Sequence, residues 1–163
     1  MTSKKRPTLR FLRAHPLHWI ALGLGSGLFP WMPGTVGALL GWLSFVLLER
    51  ILAPAHWIAL IIAGFGIGVI ACGAAARALG VHDPAAANWD EVVAFWLVLF
   101  FVMPASFAMQ CAAFALFRLF DIVKPPPIRF FERRFTGGFG IMFDDLIAAF
   151  YTLFVMAFWK SIH

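Results

Sequence analysis

Five apolar runs, at residues 36–48, 57–76, 92–103, 105–117 and 146–159, contain no Asp, Glu, Lys or Arg, so every charge lies before, between or after them. This segregation constrains the fold more than any other feature of the chain. Hydrophobic residues make up 62% of the 163 and charged residues only 13%, against roughly half and about a quarter in an ordinary soluble domain. A soluble domain of ~150 residues buries only about 70% of the surface that its unfolded chain exposes. The excess apolar surface is therefore expected to face acyl chains. The pattern predicts an all-α integral membrane bundle of about five short apolar helices, preceded by an N-terminal interfacial or re-entrant segment. Each run is shorter than, or close to, the ~20 residues that span a bilayer core, so tilt should be small or the bilayer thinned.

Residues 1–16 read as a basic cytoplasmic segment and residues 17–163 as a single membrane-embedded domain. Lys4, Lys5, Arg6, Arg10 and Arg13 all precede Trp19, a charge placement that favours the cytoplasmic side and anionic head groups. The apolar stretch at 20–24 is brief, glycine-broken and not followed by a small-x-small cleavage site, so it is expected to stay in the mature chain. Cys72 and Cys111 each stand alone in an apolar run, which indicates buried, inert thiols rather than a disulfide or metal knuckle. The seven tryptophans lie mostly near run edges, where interfacial anchoring accounts for them.

Pro104 leaves two topologies open. Residues 92–117 could form one kinked helix, or a helical hairpin turning at Met103-Pro104-Ala105-Ser106. The positive-inside rule favours the hairpin, because Arg77 and the run Arg118, Lys124, Arg129, Arg133 and Arg134 then share the cytoplasmic side. Under that topology every acid except Glu49 also falls on this side, and they are expected to gather in loops at the ends of the apolar runs: Asp83, Asp90, Glu91, Asp121, Glu132, Asp144 and Asp145. Carboxylates next to hydrocarbon are costly and by default mark a functional site.

Asp90-Glu91 directly precedes one apolar run and Asp144-Asp145 another. Helix capping is the simplest account of one such acid, yet one cap per helix is enough, and two adjacent pairs with Asp121 exceed that need. Asp121 stands three residues from both Arg118 and Lys124, so the three can share a helix face, as an ion-pair ladder or as a carboxylate flanked by anion-binding cations. Oxygen-rich acidic clusters suit Mg²⁺, which commonly binds through one or two carboxylates plus substrate phosphate. The glycine-rich stretch Gly23-Leu24-Gly25-Ser26-Gly27 leads into Pro33-Gly34-Thr35. That turn is expected to deliver Thr35 as an N-cap, and its free N–H groups could cradle phosphate or its glycines could serve close packing. The glycine-rich turn read at Gly137-Gly138-Phe139-Gly140 has the same two readings. His82, beside Asp83, is expected to be a solvated loop histidine.

Taken together, Gly25-Ser26-Gly27 with Pro33-Gly34-Thr35-Val36-Gly37, His82-Asp83 with Trp89-Asp90-Glu91, Phe117-Arg118 with Asp121-Ile122-Val123-Lys124-Pro125, and Gly137-Gly138-Phe139-Gly140-Ile141-Met142 with Asp144-Asp145 resemble the phosphatidylglycerophosphatase A family. The four motifs match in order and spacing from about residue 17 to the C-terminus. The resemblance implies an all-α, Mg²⁺-dependent inner-membrane enzyme with its active site facing the cytoplasm, which removes the terminal phosphate of phosphatidylglycerol phosphate. By matching position it implies metal ligands at Asp83, Asp90, Glu91, Asp121, Asp144 and Asp145, with Glu91, Asp121, Asp144 and Asp145 catalytic. It also implies phosphate contacts at Ser26, Thr35, Arg118 and Lys124. Ala38, Asn88, Glu132 and Ala149 depart from the family pattern, which puts Glu132 in doubt as a ligand. The partners implied are the phospholipid substrate and the membrane, with no nucleic acid.

Two rivals are disfavoured. A CDP-alcohol phosphotransferase would need four spaced aspartates around an Asp-Gly-x-x-Ala-Arg core, which is missing. A small cation transporter would carry acids at helix midspans, whereas the centres of all five runs lack them. Cysteine and histidine phosphatase chemistries lack their arginine loop and histidine spacing.

Overall fold

The computed structural model describes residues 7–126 and 128–162, apart from the side chains of Glu132 and Arg133. Lys4, Lys5 and Arg6, expected to form part of a basic flank, lie outside the described residues, as does the side chain of Glu132. Among the described residues all regular structure is helical, in the order α1 (Leu9–Ala14), α2 (Pro16–Ala21), α3 (Pro33–Leu48), α4 (Pro54–Leu79), α5 (Trp89–Val102), α6 (Phe107–Val123), α7 (Ile128–Arg134) and α8 (Gly137–Ile162). A glycine-rich 3-10 segment, Gly23–Leu28, separates α2 from α3 and is broken at Leu24 and Gly25, whose φ values are 57° and 100°.

Local sequence sets these boundaries. Pro16, Pro33 and Pro54 begin α2, α3 and α4, where the missing N–H costs nothing and the fixed φ is already helical. Gly80 ends α4 in the left-handed region (φ 66°, ψ 31°), and its N–H reaches the Ala76 and Arg77 carbonyls, as a glycine C-cap does. Ser106 caps α6 by accepting from the Met109 N–H at 3.3 Å.

Pro104 lies in the break between α5 and α6. Glu91, in the first turn of α5, stands 3.6 Å from Arg118 near the end of α6, so the two helices run antiparallel as a hairpin. The segments around residues 80–88, 124–126 and 128–136 therefore emerge at one end of the bundle. Glu49 lies at the other end, in a groove with Phe107 and Gln110. In a Cys111→Ser background, Ala85→Cys and Thr136→Cys are expected to react with an impermeant maleimide from the same side of a sealed membrane; labelling from opposite sides would contradict the hairpin.

Helix lengths differ from those expected of short apolar segments. The helices α4 and α8 have 26 residues each and are long and apolar enough to cross a membrane, reaching about 39 Å at 1.5 Å per residue. The others are shorter: 16 residues in α3, 14 in α5 and 17 in α6. Among the described residues two helices, rather than five, thus meet the length of a full span. Large apolar side chains point outward at helical spacing, Leu39, Leu43 and Leu47 on α3 and Phe150, Phe154 and Phe158 on α8. Outward apolar stripes on helices that are also apolar within suit lipid as the solvent.

The centre of the bundle is α5, whose Val92, Val93, Ala94, Phe95, Val98 and Leu99 are buried against α3, α6 and α8. Four tryptophans serve this interior rather than an interfacial belt. Trp57 stacks on Phe45 at 4.2 Å, while the indole N–H groups of Trp96, Trp42 and Trp89 donate to Ser44 Oγ, Gln110 Oε1 and the Gly64 carbonyl at 2.8, 2.8 and 2.9 Å. Where water is scarce, each such donor needs a partner within the protein. Trp19, Trp31 and Trp159 are exposed, in keeping with anchoring. Cys72 is buried as expected, but Cys111 is exposed on α6.

The stretch 137–140 opens α8, with Gly137 itself in the left-handed region at φ 72°. A Cβ at Gly138 would overlap the Val69 carbonyl oxygen of α4, and Gly73 lies opposite it. Glycine therefore lets α8 cross α4 at backbone contact, and this extends α8 by two turns before its acidic pair.

Candidate active site

Four helix ends and one loop converge on a basin of about 310 Å³ at the end of the bundle that the hairpin defines. The first turn of α3 contributes Pro33 and Gly34, the first turn of α5 Asp90 and Glu91, and the end of α6 Arg118 and Asp121. Lys124 follows as the left-handed C-cap of α6 (φ 46°, ψ 65°). Asp144 and Asp145 come from α8, and Asp83 and Ala85 from the loop after α4.

Only Asp83 of these acids lies in a loop, contrary to the expectation that they gather in loops beside the apolar segments. Asp144 and Asp145 are the eighth and ninth residues of α8, too far inside the helix to cap it. Asp90 and Glu91 do occupy a first turn, but Asn88 holds the N-cap position and no side chain caps α5. Capping therefore explains neither acidic pair.

Burial makes the grouping costly. Asp90, Glu91, Asp144 and Asp145 are between 4% and 8% exposed. One oxygen from each of Asp90, Glu91 and Asp145 can be chosen so that all three lie within 4.8 Å of one another. Asp90 Oδ1, Glu91 Oε2 and Asp145 Oδ2 are buried without a hydrogen-bond partner. Buried carboxylate oxygens without a compensating cation or donor cost several kcal/mol each, to order of magnitude. Among the described residues six carboxylates line the basin, against two cations, Arg118 and Lys124. Arg118 Nη1 pairs with Asp121 one turn below and lies 3.6 Å from Glu91, and Lys124 Nζ is 3.3 Å from Asp144. The formal excess of four negative charges and the cluster of hard oxygen donors fit a divalent cation.

Eight of the ten residues singled out from the sequence meet here: Asp83, Asp90, Glu91, Arg118, Asp121, Lys124, Asp144 and Asp145. Ser26 and Thr35 do not line the basin. The Ser26 hydroxyl accepts from Asn88 Nδ2 at 2.9 Å, which makes it part of a structural clamp. Thr35 is not an N-cap, because α3 begins at Pro33 with Met32 as its cap, and the Thr35 hydroxyl is buried without a partner. His82 is exposed and outside the basin.

Two residues matter that the sequence reading did not assign to the site. Gly34 lies so close to Glu91 that a Cβ there would overlap Glu91 Oε1 and come within 3.0 Å of Arg118 Nη2. Fully buried Asn88 joins three segments: its side chain donates to Ser26 Oγ and to the Pro33 carbonyl, each at 2.9 Å, and its N–H reaches the Ala21 carbonyl at 2.9 Å. It thereby fixes the glycine-rich segment and the start of α3 against the turn that carries Asp90 and Glu91. The signals were present in Pro33-Gly34-Thr35, read there for its hydroxyl, and in a polar residue before Trp89.

A family model described as phosphatidylglycerophosphatase A matches residues 19–160. A phosphatidylglycerophosphatase A of Haemophilus influenzae is 38% identical over 154 residues, covering 94% of each chain. One of Escherichia coli K12 is 38% identical over 139 residues, covering 85% of this chain and 80% of its own. A protein of Bacteroides thetaiotaomicron, provisionally named a phosphatidylinositol-3-phosphatase, is 36% identical over 143 residues, covering 85% of this chain and 89% of its own. No solved structure matches the chain.

Proposed function

The chain belongs to the phosphatidylglycerophosphatase A family, and from that premise we infer that it hydrolyses the terminal phosphate monoester of phosphatidylglycerol phosphate in the acidic basin. Phosphatidylglycerol and inorganic phosphate are the products. The observation that carries the assignment of the basin is the set of buried, unpartnered oxygens on Asp90, Glu91 and Asp145, beside the two cations Arg118 and Lys124.

Asp90, Glu91 and Asp145 would hold Mg²⁺, with Asp83, Asp121 and Asp144 completing the acidic wall. When bound there, Mg²⁺ supplies Lewis-acid polarisation of the phosphoryl oxygens. The protein's own groups do the rest. Arg118 and Lys124 neutralise charge on the phosphoryl group as it transfers, and one carboxylate orients or deprotonates the attacking water. The water oxygen bonds to phosphorus, the phosphorus–oxygen bond to glycerol breaks, and the glycerol oxygen leaves as the alcohol with a proton. Because the catalytic groups sit at one end of the bundle, the reaction takes place at head-group depth and the lipid stays associated with the membrane. The enzyme belongs in the inner membrane as a multi-pass protein, with the basin and the basic segment 1–16 on the cytoplasmic face and residues 17–163 as one domain.

Chelation tests the metal assignment. Purified protein in detergent is expected to lose phosphate release from phosphatidylglycerol phosphate on treatment with EDTA and to regain it on addition of Mg²⁺. Release that survives exhaustive chelation would contradict a metal-dependent basin.

A further inference from the structure

A second cavity, of about 270 Å³, opens beside the basin and shares Pro33, Asp83 and Ala85 with its wall. Its character is opposite to that of the basin. Leu28, Leu79 and Val81 line its interior, and Asp83, at the junction, is the one charged side chain among the described residues around it. Phe29 stands on its rim with 55% of its surface exposed, and Trp31 and Met32 follow at 77% and 62%. Exposed large apolar side chains next to a buried acidic site have no role in holding the fold, and together they mark a surface for an apolar partner. The groove cannot receive phosphate, since it offers no cation among its described lining. It can receive the apolar acyl end of a molecule whose anionic head group, monoester and phosphodiester alike, lies on the basin side of the junction.

We propose that this groove, between the segment that precedes α3 and the loop after α4, holds the acyl-glycerol end of the lipid whose phosphate monoester occupies the basin. The proposal rests on the lipid phosphatase reading above and adds the route by which the lipid reaches the site. Continuity through three shared residues makes the two cavities one amphipathic cleft, charged at one end and apolar at the other. A single amphiphile satisfies both ends. The exposed trio Phe29, Trp31 and Met32 would lie against the bilayer at the mouth, where aromatic side chains favour the interface.

The test compares two substrates and one binding probe with the full chain in detergent micelles. The substrates are dioleoyl phosphatidylglycerol phosphate and its deacylated counterpart, glycerophosphoglycerol phosphate. Val81→Trp fills the groove, and Phe29→Asp places a charge on its exposed rim. Each is expected to lower the ratio of kcat/KM for the lipid over the deacylated substrate by about tenfold, the scale of a lost apolar pocket contact, chiefly through KM. A phosphatidylcholine with a diazirine on its acyl chain is expected to label the peptides around residues 28–30 and 79–81 in the wild type, and to lose that labelling in Val81→Trp. An unchanged ratio in both variants, or labelling unaffected by Val81→Trp, would overturn the proposal. Labelling that appears only after removal of residues 1–6, which precede the groove-lining Pro7, would assign the groove to the N-terminus and overturn it as well. A wild type that releases phosphate from neither substrate refutes the phosphatase reading instead, and the labelling then decides the groove on its own.

Discussion

Asp145→Asn is expected to lower kcat for phosphate release by about a thousandfold or more, the scale of removing a principal electrostatic group from an active site, while the unfolding temperature stays the same or rises. The two signs follow from one geometry. Asp145 is 4% exposed, its Oδ2 has no hydrogen-bond partner, and it shares a cluster with Asp90 and Glu91. Replacing a buried carboxylate among like charges by a neutral group of the same shape removes repulsion and desolvation cost. A thousandfold loss corresponds to about 4 kcal/mol of transition-state stabilisation, so the residue carries function at the expense of stability, a trade familiar at active sites. Kinetics with thermal unfolding on the same preparation checks both. A variant that is fully active, or that is inactive only because it unfolds, would move the site elsewhere.

Gly34→Ala is expected to cost about a hundredfold in kcat/KM, the scale of an ångström-level misplacement at a reacting centre. On helix propensity alone the change should help, since alanine is favoured over glycine in a helix interior by about 1 kcal/mol. Gly34 is the second residue of α3 and its φ is not positive, so backbone freedom does not require glycine. What requires it is space, because the added methyl would overlap Glu91 Oε1 and crowd Arg118 Nη2. Glu91 and Arg118 would both have to move. Gly66→Ala is the matched control, on α4 with nothing within 4 Å of the added carbon, and should leave activity within about twofold, as expected of a substitution that touches nothing. Equal effects of the two substitutions would mean that Gly34 matters only through the helix.

The chain's helical class, its hairpin at Pro104 and most of its basin were legible because each rests on a local signal. Charges cannot enter the apolar runs, a proline cannot continue a helix without disruption, and acids beside hydrocarbon demand a reason. Helix extent was less legible. The sequence at 137–140 has three glycines, which read as a turn; Gly137 does keep a left-handed φ of 72°, but Gly138 and Gly140 lie in α8, and Gly138 sits against Val69 and Gly73 of α4. That tertiary contact also turns Asp144 and Asp145 from apparent caps into residues of a buried wall. Ser26 and Thr35 were less legible, since their phosphate contacts rest on the family resemblance alone: Ser26 receives a hydrogen bond from Asn88, and Thr35, expected to cap α3, lies inside it with its hydroxyl buried. Arg118 was legible both as a topology signal and as a cation sharing a helix face with Asp121. Its pairing with Glu91 and Asp121 makes it a member of the site.

The central claim is that this chain cleaves a phosphate monoester from a lipid and leaves the lipid's phosphodiester intact. Phosphorus NMR of phosphatidylglycerol phosphate incubated with the purified protein and Mg²⁺ reads both bonds at once. The account predicts that the monoester resonance disappears, inorganic phosphate grows in equal amount, and the phosphodiester resonance persists as phosphatidylglycerol. Loss of the phosphodiester resonance, or no change in either, would contradict it.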